Sequence, residues 1–213
     1  MTVLDKLATS LGRRDEVPNQ DLAEAIVRTG DKQAVAELIE HLGDKNKNIH
    51  SDCIKVLYEI GERKPSLIAG YHEVFGRLLD SRNNRLVWGA MTALDAITAE
   101  APEGVFRLLA KIVACAETGS VITRDHAVGI LTKLGRLEAY AKKCLPLLLQ
   151  QLKTCPTNQL PMYAEKSLAV ATEKNRKALQ EVLTARIEEL PKESQQKRVL
   201  KVLKQLSVAS GGR

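Results

Sequence analysis

Trp88, the single tryptophan of the chain, is followed by Thr92 and Asp95 in the stretch RLVWGAMTALDAI, residues 85–97. Steps of four and three residues place these side chains on one face of a helix. An indole, a hydroxyl and a carboxylate together could anchor a partner, hold a cation against the ring, or line an active site. Comparable side chains lie elsewhere: Tyr58 before this stretch, then Asp125, Met162 and Lys166, and finally Lys197, Lys201 and Lys204. What they do together depends on which elements carry them and in what register.

The motifs of nucleotide, metal and acyl chemistry are absent from the sequence. Neither GxGxxG nor GxxxxGK[ST] occurs, so no phosphate-cradling loop is encoded. HExxH and GxSxG are missing as well. The stretch DKNKNIHSDCIK opens like a calcium loop with Asp44, Asn46 and Asn48, but Ile49 stands where glycine is needed and Lys55 where the bidentate glutamate belongs. It reads as a turn between helices. His50 and Cys53 share an i, i+3 spacing, which supplies two ligands of the four that a structural metal needs. No catalytic, cofactor-binding or metal-binding residue is therefore assigned, and no cofactor is expected.

The positioning elements come from an internal repeat. Cys53, Val56, Leu57 and Ile60 have the spacing of one apolar helix face. Steps of 37 residues lead to Ala90, Ala93, Leu94 and Ile97, to Ala127, Ile130, Leu131 and Leu134, and to Ala164, Ser167, Leu168 and Ala171; a step of 35 leads to Val199, Val202, Leu203 and Leu206. Nineteen of these 20 positions are apolar, against about nine by chance at 44% hydrophobic content. Pro65 and Pro102 repeat the same period and each precedes another apolar helix, where a first-turn proline costs no hydrogen bond. Each unit is thus a helix pair. The first helices are predicted near 32–42, 65–79, 103–116, 137–153 and 175–190, and the second near 48–62, 85–99, 121–135, 159–172 and 194–207. Asp31 is the expected N-cap of the first of these. Two further helices, over 2–11 and 20–29, are expected to cap the array.

The stretch AVAELIEHLGDKNKNIHSDCIKVLYEIG resembles a HEAT repeat: an apolar first helix, Asp44 in the turn, then Ile49, His50, Cys53, Leu57, Ile60 and Gly61 in the pattern of the second helix. Thr123-Arg124 before Ala127 and the run LPLLLQQL at 145–152 are similar to that family's pattern too, whereas Val87 and Pro161 depart from it at the position where arginine is usual. The resemblance covers about residues 32–207. It implies an all-α, right-handed α-α superhelix of about five HEAT-like helix pairs plus an N-terminal helical cap, with the second helices on the concave side. The chain is accordingly read as one armadillo-like domain over 1–213: a cap at 1–31, repeats at 32–207 and a flexible tail at 208–213.

Opposite the apolar register, the second helices carry Ser51, Lys55, Tyr58 and Glu62; Trp88, Thr92, Asp95 and Ala99; Asp125, Gly129, Thr132 and Arg136; Met162, Lys166, Ala169 and Glu173; and Lys197, Lys201, Lys204 and Val208. This mixed stripe suits a protein or peptide partner, and a non-enzymatic interaction scaffold is the expected function. The partner-binding residues are Tyr58, Trp88, Thr92, Asp95, Asp125, Met162 and Lys166, with Lys197, Lys201 and Lys204 as contacts for an acidic partner. The chain also resembles, in length, basic pI and helical repeats, the AlkD-type HEAT-repeat DNA glycosylases that excise alkylated bases, a family that uses aromatic residues and an Asp on the concave face. Trp88, Asp95 and Asp125 would then face DNA. The single tryptophan and the neutral central repeats set this chain apart from that family.

Charge is unevenly distributed. Residues 174–213 carry ten Lys/Arg against four Glu, which accounts for the whole formal charge of +6, while residues 1–173 carry 22 of each sign. Nucleic acid is therefore not favoured as partner. No run approaches the roughly 20 apolar residues that span a bilayer, so no membrane association is expected. Four cysteines without CxxC spacing read as free thiols of a cytoplasmic protein.

Overall fold

The computed structural model describes residues 2–208, and among these residues every regular element is helical. The chain separates within α8 into two compact units, Met1–Ala127 and Val128–Arg213. The first contains α1 (Val17–Thr29), α2 (Lys32–Glu40), α3 (Lys47–Arg63), α4 (His72–Leu78), α5 (Asn84–Ile97), α6 (Pro102–Arg107), α7 (Leu109–Thr118) and the start of α8 (Val121–Gly135). The second continues through α9 (Glu138–Thr154), α10 (Leu160–Ser167), α11 (Arg176–Arg186) and α12 (Glu193–Val208). The flexible tail expected over 208–213 lies, from residue 209, outside the described residues. No described helix is long and apolar enough to cross a membrane.

Three helices of the first unit start on side-chain caps. Asp31 accepts from Ala34 N at 2.9 Å, Asn46 from Asn48 N at 3.0 Å and Asn83 from Arg85 N at 3.0 Å, each satisfying an otherwise orphaned first-turn donor. Gly30, at φ +69°, closes α1 in the left-handed conformation that glycine adopts without cost. Pro65 opens a 3-10 turn, Pro65–Leu67, where the sequence predicts the start of an α-helix; a second turn, Ala69–Tyr71, precedes α4.

The repeat register is the core. Of its 20 positions, Leu168, Ala171 and Leu203 are partly exposed and the other 17 are buried. The first two exceptions have a local cause. After Ser167 the chain tightens into the 3-10 turn Leu168–Val170, and three residues per turn bring Val170 inward in place of Ala171. In the first unit, α3 packs between α1 and α5. Gly89 sets the α3–α5 approach: a Cβ there would lie 2.4 Å from Ile54 Cγ1. In the second unit, Leu148, Leu152, Leu160, Leu179, Leu183 and Val199 share the interior with the fully buried Tyr163.

The N-terminal segment corrects the expected helix over 2–11. Only Val3–Lys6 is helical, as a 3-10 turn, and turns follow to Gly12 at φ +67°. Three of its backbone donors are used in tertiary bonds instead. Ala8 N donates to Asn19 Oδ1 at 3.0 Å, Thr9 N to Asp52 Oδ2 at 2.8 Å and Val3 N to Glu37 Oε2 at 3.3 Å. Asn19 Nδ2 also donates to Asp52 Oδ1 at 2.9 Å, and Leu7 and Ala8 are buried. Residues 3–16 therefore form a strap fixed to α1, α2 and α3.

Candidate binding groove

The strap and the outward faces of α3 and α5 enclose a groove of about 560 Å³, lined wholly by residues of the first unit. Tyr58 comes from α3, and Trp88 and Thr92 from α5, so three of the residues singled out in the sequence line one surface. Trp88 and Tyr58 are half-buried. Ile122, exposed at the start of α8, adds an apolar edge. Two further stripe positions line the groove but are buried, Ser51 and Lys55. The strap covers this side of α3, and Glu16, at its end, reaches Lys55.

Lys55 is the electrostatic hub of that cover. Its ammonium lies 2.9 Å from Glu16 Oε2 and 2.6 Å from Glu59 Oε1, and 4.7 Å from the centre of the Tyr58 ring. Burial alone would lower its pKa, but hydrogen bonds to Glu59, Tyr58 and Glu16 outweigh burial and hold it above the ordinary lysine value. Burial likewise acts to raise the Glu59 carboxyl, and bonds from Lys55 and from Arg63 more than offset this, so it sits below the usual range. Burial raises the pKa of the Tyr58 phenol.

The acidic groups of the groove are all engaged. Asp15 accepts both Arg13 Nε, at 2.9 Å, and Nη2, at 2.8 Å, and the Arg13 bond lowers its pKa. Asp52 holds Thr9 N and Asn19, and Glu16 holds Lys55. The cations divide differently. Arg13 and Lys55 are paired, whereas Arg14 and Arg85 line the groove, are exposed, and have no carboxylate partner among the described residues.

Asp95 takes another role. It does not line the groove; its Oδ2 lies 3.0 Å from His126 Nδ1, and His126 Nε2 lies 3.0 Å from Thr92 Oγ1. Thr92 Oγ1 is also 2.9 Å from the Trp88 carbonyl, so its single proton serves one of the two acceptors. The Asp95–His126–Thr92 chain joins α5 to α8, with Thr92 mid-helix and Asp95 one turn further on. It acts as a clamp between α5 and α8, fixing the turn that carries Trp88.

His126 was not among the residues predicted from sequence, yet the repeat marks it. Residues 52, 89, 126, 163 and 198 hold the same register position. Asp52 bonds the strap and α1, Gly89 closes on Ile54 of α3, His126 bonds α5, and Arg198 of α12 bonds both oxygens of Glu165 in α10 at 2.8 and 2.6 Å. At these four the position faces the preceding element, whereas Tyr163 is buried in the core of the second unit. His50 is likewise structural, with Nε2 2.8 Å from Asn83 Nδ2.

The remaining stripe residues are distributed as follows. Asp125 is half-buried on α8, and Gly129 and Thr132, predicted to face outward, are buried because α8 is enclosed on nearly all sides over residues 127–132. Met162 and Lys166, on α10, are half-buried. Lys197, Lys201 and Lys204 are exposed on α12, with Lys197 2.8 Å from Glu193. The four cysteines are free thiols; Cys53, Cys144 and Cys155 are buried and Cys115 is half-buried.

No sequence-family model matches the chain, and no curated protein sequence matches it. Solved structures do. A designed armadillo repeat protein in complex with the peptide (KR)4 superposes with a TM-score of 0.67 at 16% identity, covering 88% of this chain and 86% of that one. The armadillo repeats only protein from Plasmodium falciparum gives 0.61 at 14% identity, covering 91% of this chain and 98% of that one. The archaeal HEAT-like repeats protein from Thermococcus onnurineus NA1 gives 0.51 at 15% identity, with coverages of 92% and 98%.

Proposed function

We propose that this chain, which has the armadillo/HEAT-repeat solenoid fold, is a non-enzymatic protein-binding scaffold, and that the groove over α3 and α5 receives an extended segment of a partner protein. One observation carries the reading: Tyr58, Trp88 and Thr92, picked out by register alone, line a single groove whose edges are exposed apolar and cationic side chains. Trp88 supplies a large ring at little conformational cost and is the anchor expected to dominate affinity. Asp95 acts indirectly, as a positioning residue that holds Thr92 through His126. The peptide bound by the designed armadillo neighbour supports the same use of the fold.

The test is a selection of random dodecapeptides displayed on phage, followed by anisotropy titration of the enriched, labelled peptides. Trp88→Ala and Tyr58→Ala are expected to weaken binding about tenfold or more, with the melting temperature nearly unchanged. Unchanged affinity, or loss of fold in place of loss of binding, would remove the groove from consideration.

A further inference from the structure

We infer that the segment filling this groove is acidic, carrying at least two carboxylate side chains near an apolar residue. The inference rests on the groove reading above and adds the chemistry of the partner.

Its basis is the imbalance between engaged and available charges. Each groove carboxylate already has cationic or N–H donors from the chain itself: Asp15 has Arg13 and Val17 N, Glu16 has Lys55, and Asp52 has Thr9 N and Asn19. A cationic ligand would have to share those carboxylates with partners already in place. Arg14 and Arg85, by contrast, stand exposed on the lining without a carboxylate among the described residues. An incoming carboxylate can take both forks of a guanidinium with no internal bond broken.

The groove lining is more cationic than the unit that carries it. Residues 1–127 carry 19 Asp/Glu against 16 Lys/Arg, whereas the groove lining holds Arg13, Arg14, Lys55 and Arg85 against Asp15, Glu16 and Asp52. The sign of the unit is reversed along this lining, which Trp88, Tyr58 and Ile122 share. Two cations beside apolar rings match spaced carboxylates better than a continuous phosphate backbone, which would also meet the three carboxylates of the lining. A peptide with acidic residues flanking an aromatic or aliphatic one satisfies both halves of the surface.

The experiment is the same dodecapeptide selection, scored by the charge of the enriched sequences and repeated on the Arg14→Glu/Arg85→Glu double variant. Wild-type protein is expected to enrich sequences rich in Asp and Glu around an apolar residue. Those peptides should bind the double variant about tenfold or more weakly and lose affinity as salt rises, and the double variant should enrich basic sequences instead. Lys177→Glu, exposed on α11, should change neither preference. Enrichment of neutral or basic peptides by wild-type protein, with affinity that still depends on Trp88, would overturn the acidic inference and leave the groove standing. Binding that depends on no groove residue would overturn both. Displacement of enriched peptides by oligothymidylate, at lower concentration than the peptide itself needs, would assign the two arginines to nucleic acid and overturn the inference.

Discussion

Lys55 is an ammonium taken almost out of water, its side chain 11% exposed, with carboxylates on two sides. Removing the ammonium leaves the buried Glu59 carboxylate with Arg63 as its remaining cation. Lys55→Met is expected to cost about 3 kcal/mol in urea unfolding, and Lys55→Met/Glu59→Leu to recover much of that loss, because a well-packed apolar pair needs no counter-charge. The pH dependence has a definite sign. The folded-state pKa of Glu59 lies below its ordinary 4.5, so its stabilisation is complete above that value and is lost as pH falls through the lower one. Acidification below about pH 4 should therefore lower the melting temperature of the wild type more steeply than that of Glu59→Gln. The thiols give a second residue-scale check. Burial pushes Cys53 up to about 12 and Cys144 to about 11, leaving no thiolate to react at neutral pH. In the native protein Cys115, half-buried, is the cysteine expected to react with a thiol reagent; three further thiols reacting at the same rate would show that the repeat core is open.

At the scale of elements, the α3–α5 pair sets the geometry of the groove, and Gly89 sets the distance between them. Gly89→Ala puts a methyl into Ile54, a buried β-branched residue with little room to turn. The expected cost is about 1–3 kcal/mol by chemical denaturation, with weakened peptide binding because Trp88 is the adjacent residue. A stability equal to wild type would show that the helices separate freely. These helices were legible in the sequence because a 3.6-residue period repeated every 37 residues leaves few alternatives: positions such as Ile97 and Leu134 must face a core wherever the chain turns. The strap was not legible. Its backbone is fixed by Glu37, Asn19 and Asp52, residues 34, 11 and 43 positions from the amides they bind, and such bonds leave no periodic trace. The clamp at His126 lies between these cases. It could be found once residues 52, 89, 126, 163 and 198 were aligned, but its partners Thr92 and Asp95 emerge only when α8 is set against α5.

At the scale of the molecule, the basic pI misleads if taken as a property of the whole surface. The excess charge sits in the last 40 residues, while the groove lies in a unit with a net excess of carboxylates. The sequence therefore indicated an acidic partner through Lys197, Lys201 and Lys204, whereas the structure offers Arg14 and Arg85, which no periodic pattern distinguishes from other surface arginines. Two sites follow from these two readings, and they are far enough apart in sequence to be separated by mapping. The central claim is that a partner segment lies in the groove between the strap, α3 and α5. The most direct measurement is photo-cross-linking from a benzophenone-bearing acidic peptide obtained by selection, with the cross-linked residues identified by mass spectrometry. Cross-links concentrated in residues 8–19, 48–58 and 85–92, and abolished by Trp88→Ala, are the expected result. Cross-links concentrated on α12, or unchanged by Trp88→Ala, would contradict the account.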